Sequence, residues 1–261
     1  MRRAIGETVH MKALNDDALR ARLTGPVHYH AEVTSTNDVA MQLAREGAPA
    51  GTLVCADFQR AGRGRRGAAW TAPAGTSVLA SLLLRPGKTL PASHLAILTG
   101  VGLANGLRAE DIAAQIKWPN DLMVRNRKVA GILVETAADA VVVGFGINCA
   151  IPEEAFPPAL RDRAGSLHAL LERDISREAI LAAAVAGLLD AVARVEAGGI
   201  IKVLLEWNAM NWLRRREVRV TGPLGAVEGD GLFLDGHKLV FHVFKDGGVV
   251  HMPLASTVEA R

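Results

Sequence analysis

The stretch FQRAGRGRRGAAW, Phe58 to Trp70, contains four arginines and three glycines in thirteen residues. Gly62, Gly64 and Gly67 spell the G-x-G-x-x-G pattern of a dinucleotide-binding turn, which requires a helix directly after the glycines and an acidic residue roughly twenty positions on. The following residues, AAWTAPAGTS, include proline and glycine and lead into another apolar run, and positions 80 to 90 contain no Asp or Glu. The stretch therefore argues against a dinucleotide-binding sheet.

Other functions for this arginine-rich loop follow from its composition. Gly87-Lys88-Thr89 resembles the end of a phosphate-binding P-loop, but Leu82 stands where that motif requires glycine. Three interpretations remain: a nucleic-acid patch, a solvated surface loop, and a mobile cover over a small anionic ligand. Glycines allow close backbone approach, and arginines form bidentate contacts with phosphate or carboxylate, which favours the cover.

The overall composition is that of a globular protein. Of its 261 residues, 49% are apolar and 22% are charged, and the formal charge is only +3, which is small for a dedicated nucleic-acid binder. Cys55 and Cys149 lie inside apolar runs, which predicts buried free thiols and a reducing compartment. The first residues, MRRAIGETVHMKALNDD, do not resemble a signal peptide, and no apolar run is long enough to span a bilayer. We therefore expect a cytoplasmic protein.

The order of predicted elements indicates an α+β fold with a mixed, largely antiparallel sheet flanked by helices. Strand-like runs begin at PVHYHAEV, TLVCADF and TSVLASLLL, and four more follow at AQIKW, DLMV, KVAGILVE and AVVVGFGINC. The short links between the last four favour antiparallel hairpins. Helices are predicted over residues 11–23, 36–47, 92–109, 176–197 and 200–213.

The C-terminal part alternates short apolar runs with glycine-rich turns. From Arg214 onwards this pattern predicts a small all-β module of under fifty residues, which is too small to be stable alone and should dock on the main domain. We therefore expect a catalytic domain over residues 1–213 and a β module over residues 214–261.

Four motifs in this order resemble the biotin–protein ligase family: STN at Ser35-Thr36-Asn37, the loop from Gln59 through GRGRRG to Trp70, KWPNDLMVRNRKVAGILVE at 117–135, and GFGIN at 144–148. The resemblance covers about residues 33 to 150. It implies a class II synthetase-like core, an SH3-like C-terminal module, and the type of ligase that lacks an N-terminal DNA-binding domain. Ala68 and Ala69 depart from the family pattern, since relatives often carry basic residues there, which implies weaker retention of the ligand.

The resemblance implies two half-reactions, with ATP as co-substrate and Mg²⁺ as cofactor. Biotin's carboxylate attacks the α-phosphate to give biotinyl-5′-AMP, and a lysine of a biotin carboxyl carrier domain then takes the biotinyl group. Lys128 is the expected cation at the phosphate, with Arg63 and Arg65 closing from the loop and Lys117 as a second candidate. Asp121 is the candidate that positions the lysine amine or accepts its proton, although an Asx-type turn after Pro119-Asn120 would also explain it.

The substrate-binding residues implied by the motifs combine polar and charged side chains. For biotin and its adenylate they are Ser35, Thr36, Asn37, Gln59, Arg63, Gly64, Arg65 and Lys128, with Asn148 as a weaker nucleotide contact. Helix capping is a second role for Ser35 or Thr36. Trp70 and Trp118 are interpreted as loop or core anchors. His28 and His30 share a strand face but lack a third ligand, so we predict no protein-held metal site.

Two alternative functions remain from the sequence. A lipoate–protein ligase shares the adenylate chemistry, although the arginine–glycine loop and KWPND favour biotin. A biotin-responsive DNA-binding regulator is the non-enzyme alternative, but only about 34 residues precede Ser35, so we expect no specific DNA binding and no membrane partner. The oligomeric state, a weak homodimer included, is left open.

Overall fold

The computed structural model describes residues 13–86, 92–137, 139–222, 225–235, 240–245, 248–253 and 257–260. Its first half contains α1 (Asp16–Arg20), β1 (Val27–Val33), α2 (Thr36–Arg45), β2 (Leu53–Gln59), β3 (Ser77–Leu84) and α3 (Ala92–Ala109). Four strands follow: β4 (Gln115–Lys117), β5 (Asp121–Val124), β6 (Arg127–Ala137) and β7 (Ala140–Asn148). The helices α4 (Leu167–Leu171), α5 (Arg177–Glu196) and α6 (Ile200–Met210) come next. The last strands are β8 (Val218–Gly222), β9 (Gly225–Gly229), β10 (Leu232–Asp235), β11 (Val240–Lys245), β12 (Gly248–Pro253) and β13 (Thr257–Ala260).

A seven-stranded mixed sheet forms the centre of the molecule, in the order β1-β2-β3-β7-β6-β5-β4. Strands β1 and β2 are parallel because α2 crosses over between them, and the other neighbours are antiparallel. This confirms the α+β class and the hairpins predicted between β4 and β7. The parallel pair was not foreseen as such.

Close helix packing covers the face of the sheet opposite α2. Helices α3 and α5 approach each other at glycines, since a Cβ added to Gly106 would lie 2.3 Å from the Ala183 carbonyl oxygen. A Cβ on Gly187 would likewise meet the Gly102 carbonyl at 2.2 Å. Such backbone proximity lets the two helices bury apolar side chains such as Leu103 and Leu188, which are fully inaccessible.

The predicted helix boundaries hold with two differences. The helix expected from residue 11 is the short α1 in the structure, and Met11 lies outside the described residues. The helix expected to reach Leu213 ends at Met210, because the Trp212 amide instead donates to the Ile116 carbonyl at 2.9 Å. The segment after α6 therefore runs beside β4 before it enters the C-terminal strands.

The C-terminal strands form two three-stranded antiparallel sheets, β10-β11-β12 and β13-β8-β9. Phe241 packs edge-on against Trp118, with ring centroids 5.0 Å apart, and also contacts Trp207 of α6 at 6.2 Å. These rings are buried, which joins the C-terminal strands to the main hydrophobic core. Within the described residues, the helices are too short or too polar to cross a membrane.

Candidate active site

A cavity of about 220 Å³ lies on the sheet beneath the arginine-rich loop. It is lined by Ser35, Thr36, Asn37, Gln59, Arg63, Gly64, Arg65, Ala68, Ala69, Trp70, Ala80, Asn120, Asp121, Lys128, Gly131, Ile132, Leu133, Gly144, Phe145 and Gly146. These residues extend from β3 across β7 and β6 to β5. Three strand spacings amount to about 14 Å, so the cavity suits an elongated ligand.

Three glycines on β6 and β7 leave room above the sheet. A Cβ at Gly146 would lie 2.4 Å from the Trp70 ring, and one at Gly131 would lie 2.8 Å from it. A Cβ at Gly144 would lie only 2.0 Å from Asn37 Oδ1. The glycines therefore allow Trp70 and Asn37 to reach the sheet surface, where they line the cavity.

One end of the cavity carries a network of neutral polar groups. Ser81 Oγ lies 2.8 Å from Thr36 Oγ1 and 2.6 Å from Asn37 Oδ1. The Thr36 hydroxyl and its backbone N–H both donate to Gln59 Oε1, at 3.0 and 2.8 Å. The Ser81, Thr36 and Asn37 side chains are buried, so this end has fixed hydrogen-bonding geometry for a polar ring.

The other end of the cavity carries charge. Lys128 Nζ lies 2.6 Å from Asp121 Oδ1 and 5.7 Å from the centroid of the Trp70 ring. Burial, with a contribution from neighbouring Arg66, lowers the pKa of Arg65, while Asp121 opposes this shift. Cations held in a partly dry site without full compensation attract an anion, here a carboxylate or phosphate.

The arginine-rich loop is fastened to helix α2. The Arg63 guanidinium donates to both Asp38 oxygens, at 2.9 and 2.6 Å, and lies 3.6 Å from Glu135 Oε2. Glu135 in turn accepts a 2.6 Å hydrogen bond from the Asn37 side-chain amide. The loop itself closes through a short bridge between Arg63 and Ala69. Arg63 therefore connects the loop to the polar end of the cavity.

The structure brings nearly all of the predicted site residues together. Ser35, Thr36, Asn37, Gln59, Arg63, Gly64, Arg65, Asp121 and Lys128 all line the one cavity. Ser35 is the N-cap residue of α2, but its side chain makes no capping hydrogen bond. Asn148 is placed differently, since its buried side-chain amide donates to the Gly165 carbonyl at 3.1 Å and does not line the cavity.

Sequence reasoning missed three polar partners in this site. Ser81, Asp38 and Glu135 contact predicted site residues. Ser81 could have been noticed as a polar residue inside the apolar run TSVLASLLL, where a buried hydroxyl needs a partner. Asp38 directly follows the STN motif and Glu135 is the last residue of the 117–135 motif, but neither carries a separate sequence signal.

A second cavity of about 1060 Å³ lies beside the first, and loop residues Arg63, Gly64 and Arg65 line both. Its other walls come from α2, α3 and the latter half of β6, and include Met41, Leu95 and Val134. The loop thus borders a small polar cavity and a large, more open one.

The aromatic and histidine predictions can be located as well. Trp118 is buried in the core, and Trp70 anchors the loop over the sheet glycines while one face borders the cavity. Among the residues that the structure describes, no three His, Cys, Asp or Glu side chains are grouped so as to hold a metal ion. Cys55 and Cys149 are buried free thiols, as predicted, and burial raises the pKa of each to about 12.

The sequence of this chain is similar to those of known protein ligases. Residues 29–151 match the Biotin/lipoate A/B protein ligase family. The chain is 39% identical over 160 residues to the bifunctional ligase/repressor BirA of Bacillus subtilis (strain 168), which covers 59% of this chain and 49% of that protein. It is 43% identical over 129 residues to the biotin–[acetyl-CoA-carboxylase] ligase of Paracoccus denitrificans, covering 46% of this chain and 53% of that protein. The chain thus spans about half the length of the curated relatives it matches.

Among solved structures, the biotin protein ligase from Aquifex aeolicus in complex with biotin and ATP superposes with a TM-score of 0.80. That match covers 90% of this chain and 99% of that chain at 24% identity, so it shows a shared fold. It includes the C-terminal part, which the family match does not reach. Across residues 29–151, therefore, the chain is similar to the Biotin/lipoate A/B protein ligase family.

Proposed function

We propose that this protein is an ATP-dependent biotin–protein ligase, which forms biotinyl-5′-AMP and transfers the biotinyl group to a lysine of a biotin carboxyl carrier domain. The observation that carries the proposal is the polarity of the cavity. Neutral hydrogen-bonding groups lie at the β3 end, apolar walls in the middle, and Lys128 at the β5–β6 end. Biotin has the same order of groups: a ureido ring, an apolar bicycle and chain, and a carboxylate.

In the first half-reaction, the site must bring two anions together. Asn37, Thr36 and Ser81 form the polar end that would hold the ureido ring, while Trp70 and Leu133 contribute apolar lining along the chain. The carboxylate would then lie beside Lys128, where its oxygen attacks the α-phosphorus and the bond to the β-phosphate breaks. Lys128 and Arg65 would stabilise the charge that develops on the phosphorus oxygens.

The cofactor proposal is Mg²⁺ bound with the nucleotide. Because Mg²⁺ usually takes one or two carboxylates and several phosphate or water oxygens, it does not require a protein-built cage. Asp121 lines the cavity and is the carboxylate that would share the ion with the phosphates. When bound, the ion would neutralise phosphate charge.

In the second half-reaction, the carrier lysine must arrive as a neutral amine. Its nitrogen attacks the acyl carbon, AMP leaves, and the proton lost from nitrogen needs an acceptor. Asp121 lines the cavity, and its Oδ1 atom lies 2.6 Å from Lys128 Nζ. We propose that Asp121 positions the amine or takes this proton, and that Arg63 acts with the loop as a cover that shields the mixed anhydride from water.

The domain assignment belongs to the same proposal. Residues 1–213 would form the catalytic domain and residues 214–261 a C-terminal β module, with a cytoplasmic location. The shared cluster of Trp118, Trp207 and Phe241 supports a module that folds against the catalytic domain. Asn148 is retained as a weaker nucleotide contact that would act through the backbone of Gly165.

The test is a comparison of acids at equal concentration. With Mg-ATP, biotin should release pyrophosphate and produce an acid-labile adenylate, while lipoate should release at least tenfold less. A chain that uses lipoate as well as or better than biotin would contradict the proposal and favour a lipoate–protein ligase. No adenylate with either acid would refute both.

A further inference from the structure

Glu135 lies between the arginine-rich loop and the polar end of the cavity. One of its carboxylate oxygens, Oε2, accepts a hydrogen bond from Asn37 Nδ2 at 2.6 Å. The same oxygen lies 3.6 Å from the Arg63 guanidinium. Glu135 lines the larger cavity and Asn37 lines the smaller one, so their hydrogen bond connects residues of the two cavities.

The carboxylate of Glu135 decides how the Asn37 amide is turned, because an ionised carboxylate can only accept hydrogen bonds. The Asn37 amide nitrogen must therefore face Glu135, which turns the amide oxygen, Oδ1, towards Ser81 Oγ at 2.6 Å. An amide oxygen is also only an acceptor, so the Ser81 hydroxyl must donate to it. Asn37 and Ser81 are buried, and one charge thus sets the direction of two successive hydrogen bonds away from water.

Ser81 by itself does not determine the orientation of the Asn37 amide. A hydroxyl both donates and accepts, so Ser81 could bond equally well to the oxygen or to the nitrogen of that amide. The Gln59 amide differs, since the Thr36 backbone N–H and hydroxyl both donate to its Oε1, at 2.8 and 3.0 Å, and hold it in one orientation. Of the two amides at the polar end, it is that of Asn37 whose orientation depends on a charge.

We propose that Glu135 is a positioning residue for the ureido ring, and that it acts through Asn37 by keeping the amide in one orientation. This role rests on the proposed function, which places the ureido ring at the polar end of the cavity. A ureido ring combines a carbonyl acceptor with two N–H donors, so its binding depends on which facing groups donate and which accept. An overturned Asn37 amide would set donor against donor or acceptor against acceptor and lose the matched hydrogen bond.

The experiment measures biotin binding to the full-length chain by calorimetry. Glu135→Gln keeps the shape of the side chain but can both donate and accept, so both orientations of the Asn37 amide become possible. Biotin should then bind about tenfold more weakly. Because Glu135 acts through Asn37, adding Glu135→Gln to Asn37→Ala should cause no further loss. Glu196→Gln, at the exposed end of α5, is the matched control and should bind biotin as the parent does.

The kinetics of adenylate formation separate positioning of the ring from a general defect of the site. The proposed reacting groups lie at the Lys128 end of the cavity, away from the polar end. Glu135→Gln should therefore raise the KM for biotin about tenfold, while kcat and the KM for ATP stay within about twofold of the parent. A comparable fall in kcat, or a comparable rise in the KM for ATP, would show damage to the whole site and would overturn the assignment.

Parent-like biotin binding in Glu135→Gln would overturn the positioning role, as would losses that add when Glu135→Gln and Asn37→Ala are combined. Arg63→Gly tests the other contact of Glu135. If Arg63→Gly weakens biotin binding as much as Glu135→Gln, and the two together weaken it no further, Glu135 acts through the loop, which would also contradict the proposal. A parent that forms no adenylate from biotin would refute the proposed function, and calorimetry would still decide the role of Glu135.

Discussion

Arg63 and Asp38 form a bidentate ion pair, with N–O distances of 2.9 and 2.6 Å, which holds the middle of the arginine-rich loop against the first turn of helix α2. Asp38 directly follows Asn37, a residue of the cavity, and Glu135 contacts both Arg63 and Asn37. The carboxylates of Asp38 and Glu135 thus link the loop to the polar end of the cavity. This connection makes the loop's closure testable through residues outside the loop.

Arg63→Gly and Asp38→Asn should each speed the release of biotinyl-AMP more than they weaken biotin binding. The pair is partly exposed, so we expect at most about a fivefold faster off-rate. Because both changes break the same contact, the double variant should be no faster than the single ones. Glu46→Gln, at the exposed end of the same helix, is the control. Additive off-rates would show that Arg63 acts without Asp38.

The same ion pair predicts a pH dependence. Hydrogen bonding from Arg63 holds the pKa of Asp38 below its ordinary value of 3.8. A depressed carboxyl pKa contributes stability that is present above 3.8 and lost only as pH falls through the lower folded value. The contribution of Asp38 is the difference in adenylate off-rate between the parent and Asp38→Asn. This difference should therefore stay constant between about pH 5 and 8. A difference between parent and Asp38→Asn that disappears by pH 6 would contradict the pairing.

Lys128→Ala should abolish adenylate formation while leaving biotin binding within a few-fold of the parent. Lys128 is the cation beside the expected carboxylate, and loss of one such group lowers the rate by about 10²–10³-fold. Pyrophosphate release gives the rate, and calorimetry with biotin gives the affinity. Lys202→Ala, an exposed lysine of α6, serves as the control. Pyrophosphate release by Lys128→Ala at near-parent rate would remove Lys128 from the mechanism.

Gly144→Ala should weaken biotin binding by about tenfold or more, because the new Cβ would lie 2.0 Å from Asn37 Oδ1 and displace that side chain. The matched test places Gly144→Ala in an Asn37→Ala background, where the obstacle is gone. There the glycine change should have little further effect on biotin affinity. Equal losses with and without Asn37 would mean that Gly144 contributes in another way.

Tyr29 offers a test of the face of the sheet opposite the cavity. Its hydroxyl donates to Asp57 Oδ2 at 2.6 Å, and this hydrogen bond raises the pKa of Tyr29 to about 12. The neutral phenol is thus favoured in the folded chain, and this stabilisation is present below pH 10 and lost as pH rises through about 12. Tyr29 is the single tyrosine, so tyrosinate absorbance reports it alone. In Asp57→Asn, which lacks this carboxylate, Tyr29 should titrate near 10. A folded parent in which Tyr29 also titrates near 10 would contradict this account.

Much of the fold was predictable because local patterns agree with the tertiary structure. The helix Ala92–Ala109 has the predicted bounds, and β4 to β7 are joined by links too short for anything except hairpins. The parallel pairing of β1 and β2 was not foreseen, although α2 between them is a crossover of suitable length. Pairing across such a crossover depends on which edge of the sheet is free, and that is not encoded locally.

The site was predictable where its residues sit in motifs and not where they are recruited from a distance. Lys128, Thr36 and Gln59 carry their chemistry in recognisable contexts and do line the cavity. The hydrogen bond between Asn37 and Glu135, in contrast, joins two motifs 98 positions apart and forms only because β6 lies beneath α2. The contacts of Arg216 with the Trp212 ring and Asn126 likewise depend on the path of the chain after α6, which the sequence alone does not reveal.

The most direct test of the central claim is a single incubation with labelled biotin, Mg-ATP and a biotin carboxyl carrier domain. The proposed function predicts one pyrophosphate released for each biotinyl group that becomes bonded to the carrier lysine, with biotinyl-5′-AMP accumulating when the carrier is omitted. Release of pyrophosphate that does not depend on biotin, or a carrier that stays unlabelled while adenylate accumulates, would contradict it.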